Sequence, residues 1–285
     1  MADRFVETLY KGYAQSFDLK GPPLVDQRSA FQHILIFDTA LNGRVLVLDG
    51  NVQLTERDEC AYSEMLTHVP MMDHGAVERV MIVGGGDGAI AEEVLKYRSV
   101  KEVDLVDIDG EVIELCKQHF KSVSGAAFTD SRLKVHAMDA FEFLKDERAA
   151  GRYDLIIADR PDPVGPAGVL FAEQFYRLVE RALTPKGFAV FQNGVPFYQP
   201  DELTDTHRQF ARMFAHHGVY LSVVPTYIGG FMALTWFGRG GALGTTAPAT
   251  IASRFEAARV TTDYYSAAVH GAAFQLPPWI RRLLG

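Results

Sequence analysis

A short apolar run, Val80 to Val83, leads straight into Gly84-Gly85-Gly86-Asp87-Gly88, and a helix-like stretch, Ala89 to Lys96, follows. This order of strand, glycine loop and helix constrains the fold more than any other feature. Glycines let a backbone turn tightly and approach a nucleotide without Cβ clashes. Further strand-like runs follow at Glu102 to Val106, Leu133 to Ala137, Leu155 to Ala158 and Phe188 to Phe191, with a helix from Glu111 to His119. Strands alternating with helices predict an α/β, Rossmann-like, doubly wound and mostly parallel sheet with right-handed crossovers. Gly218 to Val224 and Met232 to Phe237 read as a closing pair of strands, and residues 250 to 285 as a helical tail.

Upstream the pattern is different. His33 to Phe37 and Arg44 to Leu48 are strand-like and flank Asn42-Gly43; Asp49-Gly50 then precedes Val52-Gln53-Leu54. Asn-Gly and Asp-Gly are type I′ hairpin signals, because both central residues need positive φ. A small antiparallel β-domain is expected over residues 1–65, with the Rossmann-like domain and its helical tail over 66–285.

The composition, 48% apolar and 22% charged over 285 residues, supports a packed core. A net charge of -8 argues against a nucleic-acid face and suits a cationic substrate. The two cysteines form no CxxC pair and the nine histidines no HExxH or Cys/His cluster, so no metal site is expected. The charged N-terminus lacks the apolar core of a signal peptide, and no apolar run approaches the roughly 18 residues that span a bilayer. A cytoplasmic protein without membrane contact is expected.

Each strand of the α/β region ends at a polar residue: Asp87 just after the first, then Asp107, Asp139, Asp159 and Gln192. In a doubly wound sheet the ligand crevice lies outside the carboxyl ends of the strands, so these side chains should converge. Aspartate also serves in turns and as a helix cap, and for any one of them that reading stays open. Asp107 lies about twenty residues after the loop, the spacing at which a carboxylate receives ribose hydroxyls. The loop does not by itself separate NAD from S-adenosylmethionine, but no basic cluster marks a pyrophosphate site, which favours adenosyl-sulfonium ligands. Asp87 would attract an ammonium and repel a carboxylate, favouring a decarboxylated tail.

At this point the residues resemble a known family. Gly43 to Gly50, Thr55-Glu56-Arg57-Asp58-Glu59, Glu64 to Pro70, the GGGDG loop, Asp159 to Pro163 with Val164-Gly165-Pro166, Gln192-Asn193-Gly194, Pro225-Thr226-Tyr227, Tyr264-Tyr265 and Ala272-Ala273-Phe274 are together similar to the bacterial spermidine synthases, the polyamine aminopropyltransferases. The resemblance covers nearly the whole chain. It implies transfer of the aminopropyl group of decarboxylated S-adenosylmethionine, a co-substrate, to a di- or polyamine with release of 5′-methylthioadenosine, and no tightly bound cofactor. It implies that Gln32, Asp107, Asp139 and Ala140 hold the adenosine and sulfur portion of the donor, with Gly84 and Gly86 in the loop and Pro166 on the adenine side. Asp87 and Asp162 would hold the aminopropyl ammonium and Asp159 would accept the proton. Tyr62 and Tyr227 would line the acceptor channel, with Ser63 and Gln192 beside it. The family's members are usually homodimers or homotetramers.

Two departures fall at the acceptor. Where relatives carry two small polar residues between the paired acids, this chain reads Asp159-Arg160-Pro161-Asp162. Proline fixes φ and removes an N–H. Arg160 is expected to point outward as a surface charge; turned inward it would repel a simple diamine and could pair with Asp162 or with a carboxylated acceptor. Ser63 replaces a common His or Gln and leaves room. These changes predict an acceptor other than putrescine: cadaverine, agmatine or a longer polyamine. A small-molecule methyltransferase on the same fold and a catalytically silent nucleoside- or polyamine-binding paralogue remain the competing readings.

Overall fold

A computed structural model describes residues 4–161 and 165–285, with the side chains of residues 165–167 outside the description. The chain opens with β1 (Arg4–Tyr10) and β2 (Tyr13–Asp18), a two-stranded antiparallel sheet. Then β3 (Val25–Arg28), β4 (His33–Asp38), β5 (Arg44–Leu48) and β6 (Asn51–Thr55) form a four-stranded antiparallel sheet in sequential order. Helix α1 (Cys60–His74) leads to β7 (Arg79–Gly84), α2 (Ala89–Leu95), β8 (Glu102–Asp107), α3 (Gly110–His119), α4 (Lys121–Ser124), β9 (Leu133–Ala137), α5 (Ala140–Lys145) and β10 (Tyr153–Asp159). A 3-10 turn (Gly165–Phe171), α6 (Glu173–Ala182), β11 (Leu183–Gln192), α7 (Pro200–Met213), β12 (His216–Val223) and β13 (Phe231–Gly238) follow. The tail holds α8 (Pro248–Ala258), α9 (Ala267–Ala273) and α10 (Pro278–Leu284).

The large sheet has seven strands in the order β12-β13-β11-β10-β7-β8-β9. The five strands from β11 to β9 are parallel, and β12 and β13 close the sheet antiparallel, as the sequence predicts. The central strands alternate between two cores. Val80 and Ile82 of β7 and Leu155 and Ile157 of β10 enter one; Met81, Val83, Ile156 and Ala158 enter the other. Burial on both faces explains why these strands read as unbroken apolar runs. The chain leaves β7 toward β8 and β9, then returns to β10 on the other side of β7. That reversal creates a crevice at the carboxyl ends of β7 and β10.

Two details differ from the sequence reading, and one helix has an unusual feature. The Asn42-Gly43 turn is not type I′: Gly43 is left-handed (φ +69°) but Asn42 is not, and the Thr39 hydroxyl closes a longer loop by accepting from the Asn42 N–H and donating to the Gly43 carbonyl. Asp49 and Gly50 both have positive φ, as expected. The sequence reading assigned no strand to β1, β2 or β3, whose residues are mostly exposed and so lack an apolar rhythm. Helix α1 passes through Pro70, where a helix would be expected to break, and almost every residue of it is buried. No helix among the described residues is long and apolar enough to cross a membrane.

Candidate active site

The glycine loop is built as its sequence requires. Gly84 has φ +77°, and a Cβ there would overlap the carbonyl oxygen of Asp159 on the neighbouring strand. At Gly86 a Cβ would stand 2.8 Å from Asp107 Oδ2. Instead the Gly86 N–H donates to that oxygen at 3.0 Å, while the Asp109 N–H donates to Asp107 Oδ1 at 2.9 Å. Burial pushes the Asp107 carboxyl up to about 6 even though both N–H groups favour its charge, and nearby Asp109 and Asp87 add to the push. Asp87, at the end of the loop, accepts from the Ala89 N–H at 2.7 Å, and burial likewise raises its pKa.

Two supports extend this side of the crevice. Asp109 caps α3 by accepting from the Glu111 and Val112 N–H groups, and its other oxygen accepts from Ser29 Oγ at 2.6 Å and Gln32 Nε2 at 2.9 Å. Gln32 is thereby fixed beside the end of β8. Asp139 caps α5 through the Phe141 N–H, with Ala140 buried behind it, and the Met138 N–H donates to the Asp107 carbonyl. Asp139 therefore does perform the capping role that stood open from sequence, at the strand end adjacent to Asp107.

On the other side of β7 lies Asp159. Its pKa is pushed up to about 7, first by burial and then by the charges of Asp87 and Asp107, against the pull of a hydrogen bond from Tyr62. The Tyr62 hydroxyl donates to Asp159 Oδ1 at 2.5 Å. Helix α1 supplies Tyr62, whose ring meets that of Tyr227 edge-on at 5.5 Å. The Tyr227 hydroxyl donates to the Gln53 carbonyl at 2.6 Å, and its neighbour Thr226 is held by Asp58, which accepts from both its N–H and its hydroxyl. Gln192 is buried at the end of β11, next to the end of β10. The structure thus brings Gly84, Gly86, Asp87, Asp107, Asp159, Tyr62 and Tyr227 to adjacent strand ends. Asp162 lies outside the described residues; Pro166 lies in the 3-10 turn, its side chain likewise outside them.

Arg160 overturns the expectation of a surface charge. It is 2% exposed. Its Nε donates to the Gln192 carbonyl at 3.2 Å, and its Nη1 to the Leu170 carbonyl at 2.5 Å and the Tyr176 hydroxyl at 2.9 Å. The guanidinium lies 3.5 Å from the Phe171 ring centroid and 5.1 Å from that of Phe191. A planar, weakly hydrated cation is suited to such an apolar seat.

Sequence reading gave no role to Glu59, one helical turn before Ser63. Ser63 Oγ donates to Glu59 Oε2 at 2.7 Å, and burial, aided by the charges of Asp87, Glu93 and Glu64, lifts Glu59 to about 7. The i, i+4 spacing of Glu59 and Ser63 was the available signal. Asp58, Asp109 and Gln53 act through tertiary contacts across 168, 77 and 174 residues, which no local pattern announces.

The chain is similar to known proteins over nearly its whole length. The spermine/spermidine synthase domain matches residues 59–242, and the spermidine synthase tetramerisation domain matches residues 6–56. A polyamine aminopropyltransferase of Ruegeria sp. (strain TM1040) is 44% identical over 97% of this chain and 96% of its own length. The polyamine aminopropyltransferase 1 of Pseudomonas aeruginosa is 42% identical over 99% and 97%. Among solved structures, a spermidine synthase in complex with the transition state analogue AdoDATO superposes with a TM-score of 0.90 at 31% identity, covering 99% of this chain and 94% of that one. The spermidine synthase from Thermotoga maritima gives 0.88 at 30% identity over the same shares. This chain belongs to the spermine/spermidine synthase family.

Proposed function

We propose that this polyamine aminopropyltransferase moves the aminopropyl group of decarboxylated S-adenosylmethionine to a di- or polyamine and releases 5′-methylthioadenosine. The observation that carries the reading is the convergence of Asp87, Asp107 and Asp159 around the end of β7, each with its pKa raised by burial. Half-buried carboxylates with no cationic partner among the described residues are costly, so a pocket of this kind favours ligands that bring positive charge. A sulfonium nucleoside with an ammonium tail and a protonated polyamine both do.

The proposed roles rest on the family resemblance and, for the described residues, on position. Asp107, Gln32, Asp139 and Ala140, with the glycine loop, hold the nucleoside; Asp87 and Asp162 hold the donor's ammonium, and Pro166 lies on the adenine side. Tyr62, Ser63, Gln192 and Tyr227 line the path of the acceptor. An alkyl amine is about 99.9% protonated at neutral pH if its pKa is near that of lysine, so it must lose a proton before it attacks. Asp159, poised at about 7, accepts that proton directly or through water. The free amine attacks the methylene carbon beside sulfur; the new C–N bond forms as the C–S bond breaks, and its electron pair leaves on sulfur as a neutral thioether. Tyr62 holds Asp159 in line.

The acceptor is assigned as an amine longer or bulkier than putrescine: cadaverine, agmatine or a longer polyamine. In support, Ser63 is small and bonded to Glu59, which adds a carboxylate for a further ammonium. Division of the chain at residues 1–65 and 66–285, and assembly as a homodimer or homotetramer, belong to the same proposal; light scattering checks the second. The deciding experiment incubates decarboxylated S-adenosylmethionine with a panel of amines and follows the products by mass spectrometry. Release of methylthioadenosine with elongated amine is expected. Clear preference for putrescine removes the acceptor assignment, no release with any amine leaves a silent binding protein, and methyl transfer from intact S-adenosylmethionine makes it a methyltransferase.

A further inference from the structure

We propose that Arg160 is a positioning residue that ties the end of β11 at Gln192 to the 3-10 turn and to α6 beside Asp159; this rests on the aminopropyl-transfer reading. The parallel ladder between β10 and β11 ends at Ala158↔Phe191. Asp159 is paired on its other side, to Gly84 of β7. The bond from Arg160 Nε to the Gln192 carbonyl lies just beyond the Ala158↔Phe191 pair. The same guanidinium reaches the Leu170 carbonyl in the 3-10 turn and the Tyr176 hydroxyl on α6, so one side chain joins three segments at the acceptor end of the crevice.

Its surroundings suit a fixed strut. Phe171, Tyr176 and Phe191 place their ring centroids 3.5, 5.5 and 5.1 Å from the guanidinium carbon. Tyr176 in turn packs edge-on against Phe191 and Phe210. Planar donors locked between rings lose little further freedom when they bond, and a lysine ammonium could not span both carbonyls from that seat. The donor-side supports, Gly86, Asp107 and Asp109, lie on the other side of β7 and share no hydrogen bond with Arg160 among the described residues. Arg160 should therefore govern acceptor kinetics and leave donor binding alone.

The test compares R160A, R160K and Y176F with the wild-type chain. Calorimetry gives the affinity for decarboxylated S-adenosylmethionine, and steady-state assays give KM and kcat for the preferred amine. For R160A, kcat/KM for the amine should fall by about a hundredfold, the usual cost of an ångström-scale misplacement, while donor affinity stays within about twofold. R160K should not recover the loss. Guanidinium ion at sub-denaturing concentration should restore part of the activity of R160A and none to the wild type. Y176F, which removes one bond and keeps the ring, should lose about fivefold in the same parameter. Donor affinity and amine turnover falling together, wild-type acceptor kinetics in R160A, or no recovery with guanidinium would overturn the proposal. If R160A does not fold, an unchanged Y176F overturns it. Methylthioadenosine release by the wild type is measured first: its absence defeats the aminopropyl-transfer reading, whereas its presence with an unaffected R160A defeats this inference alone.

Discussion

The two sides of β7 hold their functional groups by different means. Toward β8 and β9, carboxylates are held by backbone: Asp107 by two N–H groups, Asp87 by the Ala89 N–H, and Asp109 and Asp139 as helix caps. Toward β10 and β11, side chains do more of the holding: Tyr62 on Asp159, Ser63 on Glu59, and Arg160 among three aromatic rings while it donates to the Gln192 and Leu170 carbonyls. A backbone-held site is fixed by the fold and changes little with single substitutions. A side-chain-held site can be retuned one residue at a time, and it is there that Arg160, Pro161 and Ser63 stand as the departures from the family pattern read from sequence. The donor would then be fixed by the architecture and the acceptor by local choices.

The strongest way to break this division is to substitute at its centre. Asp159→Asn should lower kcat by roughly 10²–10⁴-fold, the range of general acid–base contributions, while calorimetry finds donor affinity nearly unchanged. Loss of donor binding in the same variant would show that the two sides are not separable. Gly84→Ala should do the reverse. Its φ of +77° and the overlap with the Asp159 carbonyl should cost about 2–4 kcal/mol of stability and damage both sides at once, because Gly84 is where they meet. A thermal melt within a degree of wild type would contradict the steric argument.

Asp87→Asn sharpens the donor side. Removing the carboxylate should reduce the preference for decarboxylated over intact S-adenosylmethionine by about tenfold, the scale of one partly buried charge interaction. Competition binding of the two ligands measures it; an unchanged ratio would move discrimination to another residue.

The same division decides what the sequence could reveal. Glycines before a helix and acids at strand ends follow from backbone rules, so the α/β sheet, its closing strands and the set Asp87, Asp107 and Asp159 were legible. Asp139 was legible too, along with its second role as a cap. What escaped depends on distant residues. Arg160 reads as an exposed charge because nothing nearby in sequence shows that Phe171, Tyr176 and Phe191 will enclose it. The β1–β2 hairpin escaped because its exposed residues lack apolar alternation. Glu59 lies inside the Thr55 to Glu59 motif, but its raised pKa depends on burial and then on the charge of Asp87, both set by the fold.

The smallest expected effect is in stability, and its sign distinguishes a ligand site from a structural ion pair. Asp159 has a folded pKa raised to about 7, above its unfolded value of about 4. Between those values the folded chain binds more protons than the unfolded chain, so the Asp159 contribution falls as pH rises and levels off above about 7. Other groups titrate nearby: His74, His119 and His207 are lowered by burial and act in the opposite direction as pH falls below about 6.5. A comparison of wild type with Asp159→Asn cancels them. The variant should melt higher at pH 8, by about 2–4 °C for each kcal/mol of the gap, and the gap should close as pH falls toward 4. A saturating polyamine should also shrink it, because an ammonium beside Asp159 supplies the charge that the empty pocket withholds. A variant that melts lower at pH 8 would mean that Asp159 already has a cationic partner in the free protein, and the acceptor side would be a structural ion pair instead of a site waiting for an amine.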